Sequence, residues 1–219
     1  MTKFVCISDT HNNYPVLPKG DVLIHSGDWT GIGSIREIVA FLNWISHQDF
    51  KHIVIVAGNH DFLPDNNPNI FKTLLQDHPN ITYLENSSVE INGLKIYGSP
   101  VTPTFFDWAF LKDRGEEIAK VWQQIPEDID VLITHGPPMG IRDQIDSTKP
   151  VDTKKGKHLG CQDLTDRLKD LKNLKLHVFG HIHAGYGITE QNGTVFANAS
   201  ICDESYDPVN EPLVIDISK

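Results

Sequence analysis

Lys51-His52-Ile53-Val54-Ile55-Val56-Ala57-Gly58-Asn59-His60-Asp61 is the stretch on which the fold turns. Ile53 to Ala57 is an unbroken apolar run rich in β-branched residues, the pattern of a strand buried on both faces. It stops at Gly58, and an amide, an imidazole and a carboxylate follow at Asn59, His60 and Asp61. In an open α/β sheet, ligands collect beyond the carboxyl ends of the strands. Gly, Asn and Asp also favour turns, so this stretch alone leaves turn and site equally open.

Other strand ends repeat the pattern. Lys3 to Ile7 is a short apolar strand followed by Asp9 and His11, and Asp21 to His25 runs into Ser26-Gly27-Asp28. Ser34 with Glu37 forms a capping box for a helix whose inner face carries Ile35, Ile38, Val39, Leu42 and Ile45. A short helix is predicted over Phe71 to Gln76. The Asn92-Gly93 pair predicts a hairpin over Val89 to Tyr97. Gly98 to Phe110 reads as a long aromatic loop, and Asp113 with Glu116 as a second capping box before a helix ending near Ile125. The apolar strand Asp130 to Thr134 ends in His135-Gly136-Pro137-Pro138. Residues 150–158 read as a polar, Lys-rich loop, and a helix is predicted over Gln162 to Leu171. The strand Leu176 to Phe179 ends in Gly180-His181-Ile182-His183. A hairpin about Gly193 and strands at Val195 to Ala197 and Leu213 to Ile217 complete the chain.

With 219 residues, no linker and no internal repeat, a single domain over 1–219 is predicted. The net charge of −10 disfavours a nucleic-acid groove or an anionic membrane surface, which need clustered Lys and Arg. Cys6, Cys161 and Cys202 show no metal-like pairing and read as reduced thiols. With no signal segment and no apolar run of about 20 residues, a soluble cytoplasmic protein is expected.

The decisive feature is the set of strand ends. Asp9, His11, Asp28, Asn59, His135, His181 and His183 each offer a donor for a divalent cation. Any one of them reads more simply as a solvated turn residue, and so do His25, His47, His52, His78, His158 and His177. The ordered set does not.

Asp-x-His, Gly-Asp, Gly-Asn-His-Asp, a lone strand-end His and Gly-His-x-His, in this order, resemble the calcineurin-like metallophosphoesterases. Further segments resemble the MPPED-like branch of that family: Gly98-Ser99-Pro100, Thr134 to Pro138, Leu176 to Gly187, Asn198-Ala199-Ser200 and Glu211-Pro212-Leu213. The resemblance implies an α/β fold, a four-layer α/β/β/α sandwich, with two divalent metal ions such as Mn, Fe or Zn. It implies one metal on Asp9, His11, Asp28 and His183, and the other on Asp28, Asn59, His135 and His181, with Asp28 bridging. Two anionic oxygens suit Asp28 to that role. It further implies hydrolysis of a small phosphodiester, such as a cyclic nucleotide, by attack of a metal-held hydroxide. His60 would then be the general acid, with Asp61 orienting its imidazole. Asn12-Asn13 stand where the branch tends to carry a basic residue. Asn12, Phe105, Phe106, Trp108, Pro137 and Tyr186 are candidate substrate contacts; Phe105, Phe106, Trp108, Pro137 and Tyr186 read more simply as core, and any of the aromatics that face the metals would offer a nucleobase a stacking surface.

Alternatives remain at this stage. They are a phosphomonoesterase of the same fold and a non-catalytic metal-binding scaffold. A protein Ser/Thr phosphatase, which resembles this chain at the metal motifs but carries Asp-Arg-Gly shortly after Gly-Asp, is disfavoured because Gly27-Asp28 is followed here by Trp29-Thr30-Gly31. No Gly-x-Ser-x-Gly elbow supports a serine hydrolase.

Overall fold

A computed structural model describes residues 1–145 and 158–219. Most of the Lys-rich stretch read over 150–158 therefore lies outside the described residues. In chain order the strands are β1 Thr2–Ile7, β2 Val22–His25, β3 His52–Ile55, β4 Ile81–Tyr83, β5 Ser87–Ile91 and β6 Leu94–Ser99. The short β7 Thr102–Pro103 and β8 Leu111–Lys112 follow, then β9 Val131–Thr134, β10 Leu176–Phe179, β11 Gly187–Gln191, β12 Thr194–Asn198 and β13 Leu213–Ile217. The α-helices are α1 Ile35–Ser46, α2 Phe62–Asn66, α3 Pro68–Gln76, α4 Glu116–Trp122 and α5 Gln162–Leu168.

One sheet has the order β13-β1-β2-β3-β4, the other β11-β12-β10-β9-β6-β5. In the first, β1 to β4 run parallel and β13 closes one edge antiparallel. In the second, β6, β9, β10 and β12 run parallel between antiparallel edge strands.

Side-chain alternation along each strand makes the layers. Phe4, Cys6, Val54 and Val56 of the first sheet pack on Ile96, Val131, Ile133 and Val178 of the second, between the sheets. The intervening residues Val5, Ile7, Ile53 and Ile55 face outward onto Ile38, Phe41, Leu42 and Ile45 of α1 and Phe71 of α3. On the opposite side Tyr97 and Leu132 face Ile118 and Trp122 of α4 and Leu164 of α5. The order is helix, sheet, sheet, helix, the sandwich that the resemblance implied. It also explains why the strands read as continuous apolar runs: each is covered on both faces. Complete burial of each Val, Ile or Leu here contributes about 1.5–3 kcal/mol.

The first capping box is formed, with Ser34 and Glu37 bonding reciprocally. Ile35 is half exposed and Phe41 replaces it on the inner face, stacked 4.9 Å from Trp29. The second capping box is not formed. Gly115 precedes α4 with a φ of 90°, and Glu117 rather than Glu116 reaches back to the Asp113 amide. The Asn92-Gly93 turn has both residues left-handed, as the hairpin requires. Within the long aromatic loop β7 pairs with β8, which begins just after the loop ends, an unforeseen brace. Among the described residues no helix is long and apolar enough to cross a membrane.

Candidate metal centre

The carboxyl ends of β1, β2, β3, β9 and β10 meet at one rim, and each is followed by its polar loop. Asp9, His11, Asp28 and His181 all adopt positive φ, between 41° and 66°. Such backbone is uncommon outside glycine and clusters where a site over-determines it. The glycines preceding these motifs have a steric reason. A Cβ on Gly180 would collide with the Asp9 carboxylate and Ser8, and one on Gly58 with Asp28 and the His135 ring. The motifs begin with Gly because backbone here presses directly against donor side chains.

Three groups of side chains converge so that one donor atom from each lies within 4.8 Å of the others: Asp9 with His11 and His183; His11 with Asp28 and His60; Asp28 with His135 and His181. Asp28 belongs to two of them. Its Oδ2 lies 3.2 Å from His135 Nε2 and 3.9 Å from His11 Nε2, while its Oδ1 accepts from the His60 amide at 2.8 Å. Asn59 Oδ1 is 2.9 Å from His135 Nε2. All seven residues read as donors from the sequence are brought together.

Three of the imidazoles are held from behind by backbone carbonyls. Nδ1 of His11, His135 and His183 bonds to the carbonyls of Thr30, Ser26 and Asp203 at 3.2, 3.0 and 2.7 Å. A carbonyl only accepts, so each Nδ1 carries hydrogen and each Nε2 is turned to the cluster. Nε2 of His11 and His183 lie 3.4 Å apart, a repulsive arrangement of lone pairs until a proton or cation stands between them. Asp9 is fully buried and accepts from the His181 amide and from Ser200 Oγ. Among the described residues no Lys or Arg pairs with Asp9 or Asp28. Buried carboxylates and convergent ring nitrogens without such a partner fit divalent cations.

The protonation preferences agree. Burial opposes ionisation of Asp28, but His135 and then the other imidazoles outweigh it and hold its carboxyl well below the usual range. Burial opposes charging of His135, yet Asp28 beside it raises its pKa to about 9. His183 reaches about 9 through its contact with Asp9, again against burial. His181 is driven down to about 3, by burial first and His135 second. A cation would displace the protons on His135 and His183.

His60 sits beside this cluster. Its Nδ1 donates to the Gly31 carbonyl at 2.7 Å, and its ring lies 4.2 Å from the Trp108 indole. The expected contact from Asp61 to the His60 ring is not formed. Asp61 is fully buried and accepts from the amides of Gly58, Trp29 and Thr30 and the Thr30 hydroxyl, at 2.8–3.2 Å. It ties the loop after β2 to the loop after β3, so its hold on His60 passes through the backbone. Burial and then Asp28 raise its pKa to about 7, against those four hydrogen bonds.

A cleft of about 790 Å³ opens over the donors and is lined by Phe105, Phe106, Trp108 and Pro137 among others. Phe105 lies 5.1 Å from His181, while Phe106 is 91% exposed at the rim. Two expected contacts are elsewhere. Asn12 donates to Glu37 at 2.8 Å, and the Tyr186 hydroxyl donates to the Glu211 carbonyl. The aromatic that sequence reasoning missed is Tyr206, whose ring packs 4.7 Å from His11 and 5.5 Å from His183. It lies in a polar tail segment without periodicity, and its one local signal is the Asp203 turn that carries it. His25 and His177, read as solvated, are fully buried and held neutral near 3 by burial; they bond to Thr10 and Thr134 beneath the site.

The sequence profile of calcineurin-like phosphoesterases matches residues 2–185. Human metallophosphoesterase domain-containing protein 1 is 38% identical over 238 aligned positions, spanning 99% of this chain and 71% of that protein. The crystal structure of TT1561 from Thermus thermophilus superimposes with a TM-score of 0.59 at 13% identity, covering 90% of this chain and 88% of its own. A putative 5′-nucleotidase from Staphylococcus aureus gives 0.52 at 17% identity, covering 99% and 55%. At those identities the two crystal structures speak to the fold alone.

Proposed function

Since this chain belongs to the calcineurin-like phosphoesterase family, we propose that it is a phosphodiesterase with a pair of divalent metal ions, acting on a small phosphodiester such as a cyclic nucleotide. The observation that carries the reading is the place of Asp28, shared between the His11 side and the His135–His181 side of the donor cluster. Asp9, His11, Asp28 and His183 would hold one ion, and Asp28, Asn59, His135 and His181 the other. Such ions supply Lewis acidity towards phosphoryl oxygens and a water acidified towards neutral pH.

The chain's own residues supply the rest. With Nδ1 fixed on Gly31, the other nitrogen of His60 in its imidazolium form is the proton donor to the departing oxygen. Trp108 against one side of that ring restricts its rotation. Asp61 holds the backbone at Gly58, Trp29 and Thr30, and so positions Asp28 and His60 together. Trp108, Phe105 and Tyr206 present aromatic faces to the cleft, on which a nucleobase stacks at about 1–3 kcal/mol per base.

The test is a panel on the Mn-reconstituted chain: 2′,3′- and 3′,5′-cyclic nucleotides, bis-p-nitrophenyl phosphate and p-nitrophenyl phosphate. Preference for the diesters is the expected result. Preference for the monoester overturns the diester assignment, and inactivity with metal bound favours a scaffold. His60→Ala is expected to keep its metal and lose roughly 10²–10⁴ in kcat on diesters with poor leaving groups.

A further inference from the structure

The cleft is larger than one phosphoryl group needs, and part of its wall comes from segments that carry no metal donor. Arg114 and His158 line it there, and Arg114 is the sole Lys or Arg among the described lining residues of a chain with net charge −10. Both are built in. Asp143, fully buried, accepts from His158 Nδ1 at 2.6 Å through Oδ1, and from the amides of Gly140 and Gly160 at 3.0 Å through Oδ2. A buried carboxylate with both oxygens engaged fixes the tautomer and direction of the imidazole, as such partners do for functional histidines elsewhere.

Among the described residues the remaining ring nitrogen, Nε2, meets the side-chain amide of Gln144, an exposed residue, at 3.2 Å. Arg114 donates through Nη1 to the Gly160 carbonyl and through Nη2 to the Leu159 carbonyl, each at 2.7 Å, which seats it beside the His158 segment. A guanidinium has five N–H donors, and among the described residues these bonds engage two of its nitrogens.

We propose that Arg114 and the Asp143-held His158 form a second anion subsite in the cleft, so that the preferred substrate carries a further phosphate or carboxylate besides the phosphodiester. When such an anion enters, Gln144 swings aside and the outer nitrogen of the Asp143-held His158 meets it alongside Arg114. This rests on the phosphoesterase reading, since metal ions held at Asp28 would have to bind the first phosphoryl group. Charge-assisted contacts of this kind are worth roughly 10- to 100-fold in affinity.

The plainest competing role for His158 is a clip, because its bond to Asp143 joins two loops. His158→Asn separates the two roles: the Asn side-chain amide still donates to Asp143 but lacks the outer nitrogen. Calorimetric titration of the Mn-loaded full chain with adenosine 3′,5′-bisphosphate and with AMP reads the subsite. The wild type is expected to bind the bisphosphate at least tenfold more tightly. His158→Asn and Arg114→Gln are expected to reduce that preference to within about twofold, leaving AMP binding and, for His158→Asn, the melting temperature unchanged. No preference in the wild type, or a preference that survives both variants, overturns the subsite. Bis-p-nitrophenyl phosphate hydrolysis in the same samples separates the two readings. Turnover without bisphosphate preference removes only the subsite, whereas absence of both turnover and nucleotide binding removes the phosphoesterase assignment and the subsite with it.

Discussion

Gly180→Ala adds one methyl group at a residue with no side-chain chemistry of its own, and the structure makes it a severe change. The new Cβ would overlap the Asp9 carboxylate and the Ser8 hydroxyl, and stand 2.6 Å from Ser8 Cβ. Neither neighbour can retreat cheaply. Asp9 Oδ2 is held by the His181 amide at 2.9 Å and Ser200 Oγ at 2.8 Å, and Ser8 lies in the fully buried chain leaving β1. Overpacking of this kind costs about 1–3 kcal/mol. Displacing Asp9 also weakens its hydrogen bonds, each worth about 1.5–3 kcal/mol because the acceptor is charged. Partial relaxation brings the total to about 2–4 kcal/mol, or about 4–16 °C in melting temperature for a domain of this size. Because Asp9 is a candidate ligand, metal affinity should fall by roughly 10- to 100-fold or more. Thermal melts with and without Mn, alongside metal content after gel filtration, measure both effects. A variant melting within about 2 °C of wild type, the smallest shift expected per kcal/mol, and retaining its full metal complement would falsify the packing described at this strand end.

Further outcomes follow from other contacts in the structure. Treatment with a chelator should lower the melting temperature, and the metal-free chain should lose stability as pH rises. His135 and His183 have folded values near 9, above the ordinary 6.5, so their contribution is complete below 6.5 and gone above 9; a flat melting profile across that window would contradict it. Glu37, opposed by burial but favoured by hydrogen bonds from Ser34, Asn12 and Gly31, has its value lowered from 4.5 to about 2. Its contribution is present above 4.5 and lost as pH falls to about 2, so Glu37→Gln should be less stable than wild type near neutral pH and converge with it near pH 2. Asp61→Ala leaves four buried donors without their acceptor; urea unfolding should show a loss of about 3–5 kcal/mol, and a loss under about 1 would remove its bracing role. Trp29→Ala opens a cavity against Phe41 and Phe71 and should cost about 3–5 kcal/mol by the same assay.

Much of this molecule is legible in one dimension because its chemistry is carried at strand ends. The apolar runs at Ile53 and Leu176 announce strands covered on both faces, and the polar residues that end them are donors by composition. Asn92-Gly93 and the Ser34–Glu37 pair announce a turn and a cap because both are local interactions within a few residues. The second cap failed where two local options competed: Gly115 with positive φ let the chain enter α4 one residue away from the expected pairing.

The roles of Asp61, Tyr206 and His158 could not be read in that way. Asp61 directly follows His60 in the chain, yet its oxygens turn to amides contributed by another loop. Tyr206 lies 195 positions from His11 in a segment whose composition signals only a turn, and it is against the site because β13 returns antiparallel beside β1. The amino-acid sequence by itself determined the buried strands, their polar ends and the donor residue types, since periodicity and residue type are properties of neighbours along the chain; the sandwich layers were implied by the family resemblance those motifs carry. Which nitrogen faces which oxygen, and which buried carboxylate holds an imidazole rather than a loop, was decided only when distant strands packed. Those outcomes depend on distances across the sheets, and no local pattern encodes them.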